Sequence, residues 1–134
     1  LNLIQKGLKY GWPVVGFGVN DGPGVAIHTG TMRAGMENAK NVWVPSIATS
    51  SLMVYSGDKF PAWKGSFFVG GLAGQRIVRL TYDGKVFNVE DNLVRTQGRI
   101  RDVKQGPDGF IYFSIDEQQA KPTAVMRMEP VARR

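Results

Sequence analysis

The sequence predicts an all-β fold in which antiparallel sheets repeat along the chain. No stretch shows the periodicity of an amphipathic helix, whereas short runs of β-branched and aromatic residues recur between turn sequences. The composition agrees, because 43% of the residues are hydrophobic and 17 are glycine and 7 proline, as is typical of a turn-rich β protein. At 134 residues the chain forms one domain at most.

The predicted strands lie mostly in the second two thirds of the chain. Asp83-Gly84 and Asp108-Gly109 are tight hairpin turns, because both residue types tolerate a positive φ. Residues 11–41 are rich in glycine and proline and form a long irregular segment, which in a compact domain is usually functional. Six strands are predicted, and Leu1–Ile4 is a further candidate: Ser51–Tyr55, Ser66–Val69, Arg76–Leu80, Lys85–Val89, Phe110–Ser114 and Ala124–Met128.

Part of the strand pattern is repeated. Phe67–Val69 has the same pattern as Ile111–Phe113, which lies 44 residues later. Ile77–Leu80 has the same pattern as Val125–Met128, which lies 48 residues later. This is about the length of one four-stranded blade of a β-propeller. A compact β-sandwich predicts the same strands but gives no reason for the repeat. The sequence therefore predicts about two four-stranded antiparallel blades, preceded by a long irregular segment.

The formal charge of +6 does not indicate nucleic-acid binding. The basic residues are spread along the chain, and the densest group, residues 127–134, does not alternate with aromatic residues. The absence of cysteine excludes disulfides and thiolate metal sites. The longest apolar runs, such as Phe67–Val69, are too short to span a membrane.

A series of short motifs follows in a fixed order over nearly the whole chain. In this order they resemble the soluble, pyrroloquinoline-quinone (PQQ)-dependent aldose sugar dehydrogenases, the glucose/sorbosone dehydrogenase family. Each motif alone is weak, and the shared order carries the resemblance. The motifs are Leu1–Ile4, Lys9–Pro13, Ile27-His28, Gly35–Glu37, Trp43–Ala48, Tyr55–Asp58, Phe60–Gly65, Gly71-Leu72, Gly98–Val103 and Gly106–Gly109.

The resemblance implies the C-terminal portion of a six-bladed propeller. Residues 1–48 would end one blade and cross its top face, residues 49–95 would form the next blade, and residues 96–134 the last blade without its closing strand. The implied enzyme is an oxidoreductase that converts aldose sugars to lactones, with PQQ over the central channel and calcium polarising the quinone. It also implies a periplasmic or secreted protein.

The catalytic base of the family lies in a region upstream of these residues. We therefore assign no catalytic residue to this chain and expect the chain alone to be inactive. His28, the only histidine, matches the crossing segment, and we expect it to make a structural hydrogen bond. Asp21, Asp58 and Asp108 lie in glycine-containing turns, where Asp usually bonds its own backbone, so no metal site is predicted.

Arg99 and Arg101 are the predicted cofactor-binding residues. Two residues apart on an extended segment, they would share one face, and two guanidinium groups suit a polycarboxylate. Alternation alone favours surface arginines paired to Asp102 or Glu90. The resemblance reverses this, because the arginines of the family's matching motif hold the cofactor.

Two further positions bear on ligand binding. Some members of the family carry a cofactor-contacting lysine where this chain has Ala73, so that contact is absent or supplied by Gln75 or Arg76. Trp43 matches a region that lines the sugar site, although packing between blades explains it equally well. Trp12 and Trp63 are interpreted as packing and turn residues.

A second function fits the same residues. The chain could be a non-catalytic module derived from a propeller, which assembles with itself or with another chain because exposed blade edges invite association. The expected partners are therefore a sugar in the complete enzyme, and either the missing blades or further copies of the chain.

Overall fold

The computed structural model describes residues 1–19, 24–96, 98–116 and 123–131. They form two compact units, Leu1–Pro45 and Ser46–Arg134. The only helical element of these residues is a 3-10 turn at Pro61–Trp63, so the all-β prediction is confirmed. The strands are β1 (Thr49–Val54), β2 (Phe67–Gly71), β3 (Arg76–Tyr82), β4 (Phe87–Arg95), β5 (Arg99–Gln105), β6 (Ile111–Asp116) and β7 (Ala124–Met128).

The first sheet is antiparallel, in the order β1-β2-β3-β4. The predicted hairpin turn joins β3 to β4: Gly84 has a φ of 95°. One carboxylate oxygen of Asp83 accepts hydrogen bonds from the backbone amides of Lys85 (2.8 Å) and Val86 (2.9 Å). The turn residues thus satisfy the backbone locally, as expected of an Asp-Gly pair.

The second sheet is also antiparallel, in the order β5-β6-β7. The turn between β5 and β6 contains Asp108-Gly109, with Gly109 at a φ of 81°. The assignment of residues 49–95 and 96–134 to successive blades, the second without its closing strand, stays a prediction.

The two sheets share one core. Phe68 and Ile77 of the first sheet pack with Ile100, Ile111 and Phe113 of the second, and all five are buried. Burying this apolar area supplies the main driving force for folding.

A buried tyrosine adds a polar link between the sheets. The hydroxyl of Tyr55, which is 0% exposed, donates to the Gly109 carbonyl at 2.8 Å and accepts from the Phe60 amide at 3.1 Å. Nearby, the side-chain oxygen of Gln105 accepts from the amides of Ser56 and Gly57. The turn of the second sheet is therefore bonded to the residues that follow β1.

The sequence repeat corresponds to equivalent strands. Phe67–Val69 lies in β2 and Ile111–Phe113 in β6, each the second strand of its sheet. Ile77–Leu80 and Val125–Met128 lie in the third strands, β3 and β7. The repeated residues thus occupy matching places in two sheets built on one plan.

The unit Leu1–Pro45 is irregular, as predicted, and contains only two isolated bridges among its described residues, Val15 with Gly30 and Val19 with Ala26. The expectation of a strand at Leu1–Ile4 is wrong. The Leu3 carbonyl accepts from the Tyr10 hydroxyl rather than from a neighbouring strand (2.8 Å), and this hydroxyl also accepts from the Gln5 amide (2.7 Å).

Candidate functional site

The candidate site lies at the start of β5, where the two predicted cofactor-binding arginines are found. Gly98, buried just before the strand, approaches β6 closely: a Cβ there would lie 2.2 Å from a methyl carbon of Ile115. Because no other residue fits this gap without displacing Ile115, glycine fixes the distance between β5 and β6 at the position before Arg99.

A β-bulge separates the two arginines. Arg99 lies opposite Asp116 and Ile100 opposite Ile115, but the next pair joins Asp102 to Ser114, so Arg101 is the extra residue. Ile100 and Val103 are consequently both buried although they are three residues apart. The alternation thus breaks after Ile100, between Ile100 and Val103. Arg99 and Arg101 flank buried Ile100, and their sharing of one face stays a prediction.

The bulge brings Arg101 to the carboxylate that faces Arg99. The Nε and Nη2 atoms of Arg101 both donate to Oδ2 of Asp116, at 2.9 and 2.6 Å. The side chains of Arg101 and Asp116 are 48% and 31% exposed. Asp116 is a site residue that sequence reasoning missed, because only the strand register brings it beside Arg101.

The surface pairs expected as the alternative do not form. The Asp102 carboxylate lies 3.7 Å from the Lys104 ammonium group. Glu90 accepts instead from Nε of Arg79 at 2.7 Å, and this arginine also donates to the hydroxyl of buried Ser66. These two acidic residues thus bind basic groups other than the candidate arginines.

Arg99 differs from Arg79 and Arg101, which both bind carboxylates. Its side chain is partly buried, and within the described part of the chain it forms no ion pair and no hydrogen bond. Arg95 of β4, four residues before Arg99, lies directly opposite Arg76 of β3.

A short hydrogen-bond chain ties the β2–β3 turn to the start of β5. The Gln75 carbonyl accepts from the amide of Thr96 at 3.0 Å, and the Thr96 hydroxyl donates to the Gly98 carbonyl at 2.7 Å. Gln75 itself has a φ of 48°, and Ala73 in the same turn is exposed. The turn that lacks the lysine is therefore held beside the residue preceding Arg99.

His28 makes the structural contacts that were expected of it. Its Nδ1 lies 2.6 Å from the Pro13 carbonyl oxygen, so Nδ1 carries a proton and donates. A Cβ on Gly16 would lie 2.4 Å from the His28 Nε2 atom, so the ring packs on that backbone. Trp12 lies in a turn, as interpreted, with its ring centroid 5.0 Å from that of His28, and it is 75% exposed in this chain, so its packing role stays a prediction.

The other two tryptophans differ from Trp12. Trp63 stacks on Phe60 at 4.6 Å between ring centroids and packs against the shared core, as predicted. Trp43 is partly buried, and its indole nitrogen is buried without a hydrogen-bond partner among the described residues. A buried N–H without an acceptor is costly and suits a ligand oxygen, so a sugar contact at Trp43 stays a prediction.

Of the acidic turn residues considered for a metal, Asp108 is engaged within the chain. Asp108 accepts from the Tyr112 hydroxyl at 2.7 Å and from the Phe110 amide, and the Tyr112 bond is the main cause that lowers the pKa of Asp108. No group of three His, Cys, Asp or Glu residues suited to a metal occurs in the described ranges, and Asp21 lies outside them. Within those ranges, no helix has the length and apolar character needed to cross a membrane.

The chain is similar to known sugar dehydrogenases. The model of the Glucose / Sorbosone dehydrogenase family matches residues 1–127. An uncharacterized protein of Synechocystis is 38% identical over 129 residues, which make up 96% of this chain and 31% of that protein. The aldose sugar dehydrogenase YliI of Escherichia coli is 34% identical over 123 residues, 90% of this chain and 33% of that protein.

Two solved structures share the fold. The crystal structure of the soluble aldose sugar dehydrogenase of E. coli, in its apo-form, matches with a TM-score of 0.77 and 34% identity, covering 87% of this chain and 34% of that one. A crystal structure of a glucose dehydrogenase matches with a TM-score of 0.83 and 32% identity, covering 97% and 38%. The chain thus spans about a third of the length of these relatives. The match over residues 1–127 and the shared fold show that the chain belongs to the glucose/sorbosone dehydrogenase family.

Proposed function

We propose that this chain is the C-terminal part of a PQQ-dependent dehydrogenase that oxidises aldose sugars to lactones, and that it contributes part of the cofactor site. Membership of the sugar dehydrogenase family supports the reaction class. The complete enzyme would be periplasmic or secreted, and the chain alone would lack the catalytic base.

The observation that carries this proposal is the state of Arg99. It is partly buried and has no acceptor within the described residues, whereas Arg79, Arg101 and Arg127 all bind carboxylates. A partly buried guanidinium group without such an acceptor is suited to a carboxylate ligand, which it can bind through two parallel hydrogen bonds.

The residues at the start of β5 fit a cofactor with several carboxylates. Arg99 and Arg101, which flank Ile100 in β5, would hold two of them. Bound there, PQQ would accept the hydride taken from the sugar, which carries both electrons of the oxidation. The described residues contain no group of three His, Cys, Asp or Glu side chains suited to a metal, and we derive no step through calcium.

His28 does not serve as the base in this proposal. Its Nδ1 donates to the Pro13 carbonyl, and its Nε2 faces the backbone of Gly16. Both nitrogens thus face main-chain atoms of this chain, and we assign to the chain ligand binding rather than proton transfer.

Cofactor titration tests the proposal. In the complete apo-enzyme, Arg99→Ala and Arg101→Ala should each weaken PQQ binding by about ten- to a hundred-fold, because a hydrogen bond to a charged group contributes about 1.5–3 kcal/mol. Sugar affinity should change far less. Isothermal calorimetry with PQQ and with the sugar measures both effects.

Arg79→Ala is the matched control. Arg79 is bound to Glu90 and Ser66, and its guanidinium carbon lies 5.8 Å from the Trp63 ring centre. Its loss should lower the free energy of unfolding by about 1 kcal/mol and leave PQQ affinity unchanged. If the Arg79 variant loses as much affinity as the other two, the cofactor does not bind at the start of β5.

A further inference from the structure

We infer that Asp116 is a positioning residue for the proposed cofactor site. It binds the guanidinium group of Arg101 along the edge formed by Nε and Nη2, and it leaves the terminal pair, Nη1 and Nη2, to bind a ligand carboxylate. The inference rests on the proposed function, in which Arg101 binds the cofactor. It concerns a carboxylate that the sequence motif of the arginines does not contain.

Asp116 occupies two of the N–H donors of Arg101. Nε and Nη2 of Arg101 both donate to the single oxygen Oδ2. A guanidinium has five N–H groups arranged along its edges, and this contact occupies the edge between Nε and Nη2. Among the described residues, no acceptor occupies the fork formed by Nη1 and Nη2 at the end of the group, so this fork can bind a second, bidentate carboxylate.

The strand register explains why Asp116 lies where it can orient the side chain of Arg101. Asp116 ends β6 directly opposite Arg99, and the bulge makes Arg101 the unpaired residue of β5. One carboxylate therefore lies beside both arginines. It offsets one of two like charges before any ligand binds, and it restricts the rotamers of the longer, more exposed side chain.

Asp116 has two opposite effects on an anionic ligand, and they can be separated. Its negative charge repels the ligand, whereas its hydrogen bonds pre-order Arg101. Because a single oxygen accepts both bonds, Asp116→Asn keeps an acceptor in place and removes the charge. Asp116→Ala removes both.

The first measurement needs no cofactor. In ¹H–¹⁵N spectra of the complete apo-enzyme, the Arg101 Nε–H signal, assigned through its loss in Arg101→Lys, should be protected from exchange. It should persist in Asp116→Asn and disappear in Asp116→Ala. A protected signal that survives in Asp116→Ala would show that Asp116 does not hold Arg101.

The second measurement is calorimetric titration with PQQ. Asp116→Ala should weaken binding about three- to tenfold, the usual effect of having to immobilise one long side chain on binding, whereas Asp116→Asn should stay within about threefold of the wild type. If both variants bind PQQ more tightly and to the same extent, Asp116 acts only as a competing anion, and the inference is wrong.

The chain provides a matched control. Arg127 also donates through Nε and Nη2 to one oxygen, Oε1 of Glu129. Arg127 lies opposite Tyr112, at the other end of β6 from Asp116. Glu129→Ala should therefore leave PQQ affinity and the Arg101 signal unchanged.

Failure of the inference can be distinguished from failure of the proposed function. If Arg99→Ala and Arg101→Ala leave PQQ affinity unchanged, the cofactor site is elsewhere, whatever the Arg101 signal shows. If those variants lose affinity while Asp116→Ala does not, only the role of Asp116 is refuted.

Discussion

His28 is fixed by its neighbours rather than by a ligand. Its Nδ1 donates a hydrogen bond to the Pro13 carbonyl oxygen, 2.6 Å away, and its ring packs beside Gly16. A histidine whose donor is already used for backbone support contributes to the loop in which it lies. At the scale of single residues, local hydrogen bonding thus accounts for His28 as a structural side chain.

Replacing His28 should affect stability and not turnover. In the complete enzyme, His28→Ala should lower the free energy of unfolding by about 1 kcal/mol through the lost hydrogen bond and should leave the rate of sugar oxidation within a few-fold of the wild type. His28→Asn, whose amide nitrogen can replace Nδ1 as donor, should recover part of the loss. Thermal unfolding and dye-linked oxidation measure the two quantities; abolished oxidation in a folded His28→Ala variant would make His28 catalytic.

The two arginines show what sequence alone can provide about the site. Their residue type and motif made them candidates for cofactor binding, because a guanidinium pair is suited to carboxylates. The partner of Arg101 could not be predicted, since Asp116 is 15 residues away and reaches it through the pairing of β5 with β6. Ion-pair partners across strands depend on register, which the sequence does not display.

Among the elements, β5 departs most from its sequence pattern. Ile100 and Val103 both enter the core, so the strand contains a bulge that strict alternation excludes. The turns at Asp83-Gly84 and Asp108-Gly109 were predicted because their conformation depends on adjacent residues alone. The bulge in β5 was not predicted, because it depends on how this strand packs against the first sheet.

Gly98 should be intolerant of a side chain. A Cβ would lie 2.2 Å from a methyl carbon of Ile115, so Gly98→Ala should destabilise the fold by about 1–3 kcal/mol, the usual cost of overpacking, and displace Arg99. Gly30→Ala is the control, because its nearest neighbour would be 3.8 Å away, and it should change stability by less than about 0.5 kcal/mol. Urea unfolding compares the two; equal effects would contradict the close approach of β5 to β6.

The β3–β4 turn should add to the acid sensitivity of the fold. The amides of Val86 and then Lys85 lower the pKa of Asp83 below its ordinary value near 3.8. Because the pKa is depressed in the folded state, the stabilisation is present above the unfolded pKa and is lost as the pH falls through the folded one. Asp83→Asn, which keeps an acceptor without titrating, should flatten the dependence of the melting temperature on pH below about pH 4. An unchanged dependence would exclude Asp83 as a contributor.

On the scale of the whole molecule, the second sheet leaves apolar residues exposed on both faces. Val125 is 72% and Met126 is 45% exposed, and as neighbours in β7 they point to opposite sides. The chain also spans about a third of its relatives. Both observations fit a structure that is completed by further blades or by further copies.

We therefore expect these 134 residues, when isolated, to self-associate and to show no sugar dehydrogenase activity with added PQQ and calcium. Burial of apolar area contributes about 25 cal/mol per Å², which favours association through the exposed strands. Light scattering and a dye-reduction assay test the two parts. A compact, sharply melting monomer would contradict the first, and robust reduction of dye with an aldose would contradict the second.

The hydroxyl of Tyr55 has a consequence for how the protein opens. It joins the end of the first sheet to Gly109, 54 residues further along the chain, through a bond that water does not reach. If the β5–β6 turn separated from Tyr55, the buried hydroxyl and the Gly109 carbonyl would lose their hydrogen bond. Partial opening of either sheet therefore requires a large free energy. The two sheets should therefore lose structure in a single cooperative step, although each contains the strands of a separate structural repeat.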